Sequence, residues 1–155
     1  MNTDETDVLV VGAGPAGLIA AREVATRKGN VVVFEEHEEI GQPCHCAGLL
    51  SLKGLEHLSV PDDGPYVQNK VVGARFYSPS GLSFLVDREE PVACVIERGL
   101  FDKFLAQKAT KASAQIILNI EVKNLERSKE KVIIDAGKNS FHAKLCIDAE
   151  GVSSR

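Results

Sequence analysis

The run Val8-Leu9-Val10-Val11-Gly12-Ala13-Gly14-Pro15-Ala16-Gly17 constrains this chain more than any other segment. Four consecutive apolar, mostly β-branched residues predict a strand buried on both faces, as in a parallel sheet. Three glycines at the spacing G-x-G-x-x-G follow at once. Pro15 then stands where a helix starts, its fixed φ and missing N–H suited to the first helical position. Leu18, Ile19, Ala21, Val24 and Ala25 keep an apolar face at helical spacing, predicting a helix that ends near Lys28-Gly29. Val31–Phe34 is a second apolar run, and Glu35 closes it. Residues 8–35 therefore predict one β-α-β unit.

A glycine triplet alone is weak evidence, and its context carries the argument. Gly12 permits a tight turn, Gly14 lets backbone approach a pyrophosphate, and Gly17 allows close packing of helix on strand. The helix N-terminus offers unpaired N–H groups and the positive end of its dipole to phosphates. Glu35 lies 18 residues after Gly17. There it can accept hydrogen bonds from ribose hydroxyls, and its charge repels a 2′-phosphate. Strand, turn, helix and acid together predict a dinucleotide-binding turn.

The rest of the chain limits the alternatives. At 155 residues it has the length of one domain, and a net charge of −4 argues against a nucleic-acid partner. Its apolar runs are too short to span a bilayer. Met1–Asp7 is polar and acidic, unlike a signal peptide, so a cytoplasmic location is expected. Cys44, Cys46, Cys94 and Cys146 form no C-x-x-C pair, and His37, His45, His57 and His142 are not spaced to complete a zinc site, so no metal is expected. Residues 36–59 read as a loop-rich excursion. Strands are expected at Val71–Phe76, Leu82–Asp87, Val92–Ile96, Gln115–Val122, Lys131–Asp135 and Phe141–Ile147, with an amphipathic helix over Leu100–Ala112.

Four segments carry a family resemblance. The opening Val10–Gly17 resembles the FAD-binding start of the glutathione-reductase-type flavoproteins, in which a proline after the second glycine is common. Ile40-Gly41-Gln42-Pro43-Cys44-His45-Cys46-Ala47-Gly48 resembles the cysteine loop of the geranylgeranyl reductase family. Ile96–Leu105, with Arg98, Phe101, Asp102 and Leu105, resembles that family's R-x-x-F-D-x-x-L helix start. Cys146–Ser154 resembles the D-A-D-G-x-x-S segment shared with the aromatic hydroxylases, with Glu150 replacing the second acid.

The resemblance implies an α/β fold: the N-terminal part of a Rossmann-like FAD-binding domain of the GR2 type, with β-strands inserted from the substrate-domain region. It divides residues 1–155 into a β-α-β core (8–35), a cysteine loop (40–48), a β-rich insertion (66–97), and a helix and strands (100–151). The implied cofactor is FAD. Gly12, Gly14, Pro15, Ala16 and Gly17 would hold its pyrophosphate and Glu35 its adenosine ribose. Cys46, Ala47 and Gly48 would line the channel towards the flavin ring, with Cys46 the catalytic candidate. Arg98 would lie near the ribityl–pyrophosphate portion, Val122 would present backbone groups to adenine, and residues 148–151 would pack beside the pyrophosphate. By residue type alone, Arg98 fits a solvated charge, Cys46 a small apolar filler and Val122 a core residue.

The implied activity is reduction of carbon–carbon double bonds in isoprenoid lipid chains. An electron donor such as NAD(P)H or ferredoxin and peripheral membrane contact go with it. Family members run well beyond this length, so the resemblance implies an N-terminal portion that lacks part of the active site. Two other readings stand beside it: another flavoprotein of the superfamily, such as an aromatic hydroxylase or a quinone-linked dehydrogenase, and an inactive truncated nucleotide-binding chain.

Overall fold

The computed structural model describes residues 5–44, 46–137 and 139–151. The chain divides into two compact units, Met1–Pro43 with Asp102–Arg155 and Cys44–Phe101.

The first unit is built on a six-stranded sheet in the order β8-β2-β1-β11-β10-β9. β1 is Glu5–Val11, β2 is Val31–Phe34, β8 is Gln115–Ile117, β9 is Val122–Arg127, β10 is Val132–Ala136 and β11 is Asn139–Asp148. β8, β2, β1 and β11 run parallel, whereas β10 and β9 are antiparallel additions. Helix α1, Pro15–Thr26, connects β1 to β2 and packs against both. This is the α/β fold with a parallel sheet that the opening run predicts.

All four residues of β2 are buried, because α1 covers one face of the sheet and an apolar cluster covers the other. That cluster joins Leu9, Val11, Val32 and Phe34 to Val122, Ile134, Ala136, Phe141 and Ala143. The first half of β11 pairs with β10, and its second half pairs in parallel with β1. One ten-residue strand thus ties the antiparallel meander to the dinucleotide-type core. Phe34 and Phe141 meet edge to face, with centroids 4.8 Å apart.

Helix α1 ends as its sequence suggests, with a shift of one residue. Lys28, at φ 65°, takes the left-handed position, and Gly29 N–H donates to Val24 O at 3.1 Å. Lys28 N–H donates to Ala25 O at 2.9 Å, which completes a Schellman closure. Gly29 is needed for space instead, since a Cβ there would lie 2.7 Å from Val24 Cγ1.

The second unit contains the antiparallel sheet β3-β7-β4 and a separate hairpin, β5–β6. β3 is Leu49–Ser51, β4 is Val67–Val71, β5 is Gly73–Tyr77, β6 is Ser83–Asp87 and β7 is Ala93–Ile96. The expected loop over 36–59 is thus wrong at its end, where β3 is followed by the short helix α2, Leu52–His57. Ser51 Oγ caps α2 by accepting from Gly54 N–H, a signal that the glycine within the helix obscured. The expected strand Val71–Phe76 is two strands, β4 and β5. At Gly73 the backbone comes so close to Val86 O that a Cβ would lie 2.0 Å from it. The expected strand Gln115–Val122 is also two, β8 and β9, with Asn119 at φ 60° between them. Helix α3, Arg98–Lys111, starts two residues earlier than its apolar face suggests, and the boundary between the units falls within it. Among the described residues no helix is long and apolar enough to cross a membrane.

The two-sided burial of β2 predicts a large truncation effect. Phe34→Ala should lower the unfolding free energy by ~3–5 kcal/mol, measured by urea denaturation. A loss under about 1 kcal/mol would show that Phe34 is not a core residue.

Candidate nucleotide-binding site

The phosphate turn joins β1 to α1. Gly12 N–H donates to Phe34 O at 2.8 Å, so the turn is still held to the sheet at its first glycine. Gly12 has φ 97°, and a Cβ on it would lie 2.5 Å from Ala149 O. Both facts demand glycine. The second arises because the chain after β11 is drawn against the turn, where Ala149 N–H donates to Val11 O at 2.8 Å.

Gly17 is constrained more tightly. Its Cβ would lie 2.0 Å from Gly12 O and 3.1 Å from Val10 Cγ1, so any side chain would push the helix off the strand. Gly14 is different. It is the N-cap of α1 in extended backbone, with φ −74° and ψ 178°, and a Cβ there would meet nothing within 4 Å. The protein itself does not require glycine at this position. A ligand approaching the open helix end would, because a side chain would occupy that space.

Pro15 begins the helix and Ala16 is exposed beside it. No side chain caps α1, and the first-turn N–H groups of Ala16 and Gly17 have no carbonyl four residues back inside the helix. No acidic residue lies in that turn. The result is a set of N–H donors without intrahelical acceptors at the positive end of a 12-residue helix, suited to an anion.

Glu35, directly after β2, reaches this turn. Its Oε2 accepts from Ala13 N–H at 2.7 Å and its Oε1 from His37 N–H at 3.1 Å, with His37 Nδ1 2.5 Å from the same oxygen. The Glu35 side chain is only 12% exposed. Glu35 N–H donates to Ile117 O, while Ile120 and Asn119 N–H donate to the carbonyls of Glu35 and His37. The ends of β1, β2 and β8 are thus held together around one carboxylate. Ala13 and His37 were invisible as partners in the sequence, although His37 is the one nonacidic residue in the run 35–39.

Val122 starts β9 with its side chain in the apolar cluster, opposite Ala136. Cys146 lies in β11 beside Leu9. Its thiol is pushed up to about 11, first by burial and then by the negative charges of Asp148 and Glu150. In the loop after β11, Glu150 N–H donates to Asp148 Oδ1 at 3.2 Å.

The remaining predicted residues belong to the second unit. Cys46 and Ala47 are exposed, and Gly48 N–H donates to Cys46 Sγ at 3.5 Å. The thiol of Cys46 is therefore not the buried filler that its residue type allows. Gly48 is buried at φ 71°, and a Cβ on it would lie 2.3 Å from Ile96 O, so it has a packing reason to be glycine. Arg98 opens α3, with Glu97 as the cap. Glu97 carboxylate oxygens accept from Gly99 N–H at 2.9 Å and Leu100 N–H at 2.6 Å. Glutamate is not a favoured N-cap, so the apolar face alone sets the start at Leu100, whereas the family's helix-start pattern marks Arg98. His45 lies outside the described residues. Cys94 is buried, and burial raises its thiol.

The family profile described as "FAD binding domain" matches residues 5–155. Digeranylgeranylglycerophospholipid reductase 2 of Methanosphaera stadtmanae is 35% identical over 159 aligned residues, covering 97% of this chain and 40% of that protein. A crystal structure of a geranylgeranyl bacteriochlorophyll reductase-like protein from Thermoplasma acidophilum superposes with a TM-score of 0.86 at 34% identity. It is matched over 96% of this chain and 40% of its own. The p-nitrophenol 4-monooxygenase PnpA of Pseudomonas putida shares the fold, with a TM-score of 0.83 at 20% identity over 97% of this chain and 42% of its own. The chain thus spans about 40% of the length of the reductases it matches.

Gly17→Ala should destabilise the protein by ~2 kcal/mol or more in thermal or urea unfolding, since the methyl has backbone on its near side. Gly14→Ala should change stability by less than about 1 kcal/mol. Equal losses would contradict the distinction between a packing glycine and an open one. For Cys146, the raised folded pKa means that the neutral thiol is favoured in the folded state. Its contribution is complete below the ordinary thiol value and is lost as pH rises from about 9 towards 11. Wild-type stability should therefore fall more steeply over that window than that of Cys146→Ala. Parallel profiles would contradict it.

Proposed function

The chain belongs to the FAD binding domain family, and on that premise we propose that residues 1–155 act as one FAD-binding domain in a protein that reduces isoprenoid carbon–carbon double bonds. The observation that carries the FAD assignment is the open space at Gly14, in front of an uncapped helix start, with the Glu35 carboxylate fastened to the same turn. The residues present fit the cofactor. Backbone N–H groups of Gly14, Ala16 and Gly17 would bind the pyrophosphate, with Pro15 fixing the helix start and Gly12 the approach of the turn. Glu35 would accept a ribose hydroxyl. Val122 is assigned to adenine through its backbone, on family resemblance.

When bound and reduced by an electron donor, FAD would supply the hydride, and with it the two electrons, that saturation of an alkene requires. The chain's own residues bind and orient it. We assign Arg98 to the ribityl–pyrophosphate portion and Cys46, Ala47 and Gly48 to the channel towards the ring, on the resemblance of their segments to the reductases. The exposed Cys46 thiol is the candidate proton donor, since an unactivated alkene needs a well-placed acid to complete saturation. Support for an isoprenoid lipid substrate is the 35% identity to a digeranylgeranylglycerophospholipid reductase across nearly the whole chain. Such a substrate, in a protein whose described helices do not cross a bilayer, suits peripheral contact with a membrane from the cytoplasmic side.

The test is chemical. With FAD and dithionite supplied to the protein that carries this domain together with the rest of the reductase length, a digeranylgeranyl glycerophospholipid should gain two hydrogens per saturated double bond, read by mass spectrometry. Cys46→Ser should lower that turnover by at least about tenfold at saturating FAD. Bound flavin with an unchanged lipid mass would contradict the reductase reading. Hydroxylation of a supplied phenol in a separate assay, with NAD(P)H and oxygen in place of dithionite, would favour the hydroxylase branch of the superfamily.

A further inference from the structure

A carboxylate has about four acceptor sites, two on each oxygen. In Glu35, Oε1 faces two groups of His37, the backbone N–H at 3.1 Å and ring Nδ1 at 2.5 Å. Oε2 accepts from Ala13 N–H at 2.7 Å and keeps one site open. The carboxylate is therefore three-quarters committed to the protein itself, and its free site lies on the oxygen already fastened to the phosphate turn. His37 is not a loosely placed neighbour. Its carbonyl accepts from Asn119 N–H at 3.2 Å, and the adjoining Glu35 is bonded through its own backbone to Ile117 and Ile120. The His37 side chain is 43% exposed against 12% for Glu35, and its Nε2 lies 3.8 Å from Glu36 Oε1.

We propose that His37 is a positioning residue for nucleotide recognition. Its Nδ1–H holds Glu35 Oε1, so that the carboxylate meets the adenosine ribose through a single hydroxyl on Oε2. This rests on the FAD reading and deepens it. Glutamate has three rotatable side-chain bonds, and a ligand that must order them binds more weakly than one that finds them ordered. Ala13 N–H and His37 Nδ1–H grip opposite oxygens and so fix the last of those bonds as well as the first two. The arrangement also specifies a tautomer: in the neutral imidazole the proton is on Nδ1, because an unprotonated Nδ1 would set two acceptors against each other.

The experiment uses the full 155-residue chain and FAD itself as the probe, titrated by calorimetry at pH 8. His37→Ala should weaken binding by about tenfold, the usual scale for a hydrogen bond to a charged group. His37→Asn, whose amide places an N–H near the position of Nδ1, should stay within about twofold of wild type. Glu35→Ala should weaken binding, and adding His37→Ala to it should weaken binding no further. In the ligand-free wild type, ¹⁵N NMR should find His37 protonated at Nδ1, a readout that holds even where a variant folds poorly. Weakening by Glu35→Ala but not by His37→Ala would overturn the proposal and leave the FAD reading intact. Equal weakening by His37→Asn and His37→Ala, additive effects at the two positions, or a neutral ring protonated at Nε2 would also overturn it. No binding of FAD by the wild type, or wild-type affinity in Glu35→Ala, would instead remove the reading on which it rests.

Discussion

The carbonyl oxygens of Gly12 and Ala149 occupy the space where side chains at Gly17 and Gly12 would begin, and the arrangement around the site depends on this contact between backbones. It lets helix α1 start against strand β1 with no atom between them, which brings the helix end to the edge of the sheet. It also admits the chain leaving β11. Because the two parallel neighbours of β1 end at the same level, Phe34 and Asp148 lie opposite Val11 in the register. The segments that follow, with Glu35 and Ala149, consequently flank the turn. A fold that buries β2 on both faces leaves these strand ends as the place where polar backbone groups meet solvent.

The two kinds of glycine in the motif separate what folding needs from what a ligand needs. Gly12 and Gly17 are explained by the protein's own atoms, and Gly14 is not. That difference makes the motif more than a structural turn: an unused open space in front of a helix N-terminus fits a phosphate group approaching closely. Glu35 is fastened to the same turn, its carboxylate accepting from Ala13 N–H. Similarity to reductases acting on geranylgeranyl lipids gives this nucleotide site its chemical context, over about 40% of those proteins' length.

Much of the first unit could be read from residues alone, because its signals are local and redundant. Val8–Val11 and Val31–Phe34 are continuous apolar runs, Pro15 marks a helix start, and Gly12 to Gly17 admit few alternatives. The second unit was less legible. Its elements are short, its strands are exposed on one or both faces, and their limits depend on contacts distant in sequence, as at Gly73 against Val86 or Gly48 against Ile96. The hairpin β5–β6 was legible as two strand runs, although its stacked pair Phe76 and Phe84 is exposed at 50% and 62%; the break between β4 and β5 was not. The place of Glu35 at the end of β2 was legible through its spacing from the glycines. The contact of His37 with it was not, since that depends on the loop after β8 arriving to hold the His37 backbone, and no pattern in residues 35–39 announces it.

Binding of the FAD pyrophosphate at the open end of helix α1 is read residue by residue in an amide-resolved NMR titration of the chain with FAD. The largest shifts are expected at the N–H groups of Gly14, Ala16 and Gly17, accompanied by Ala13 and Glu35. Saturable FAD binding that left these amides unmoved would contradict it.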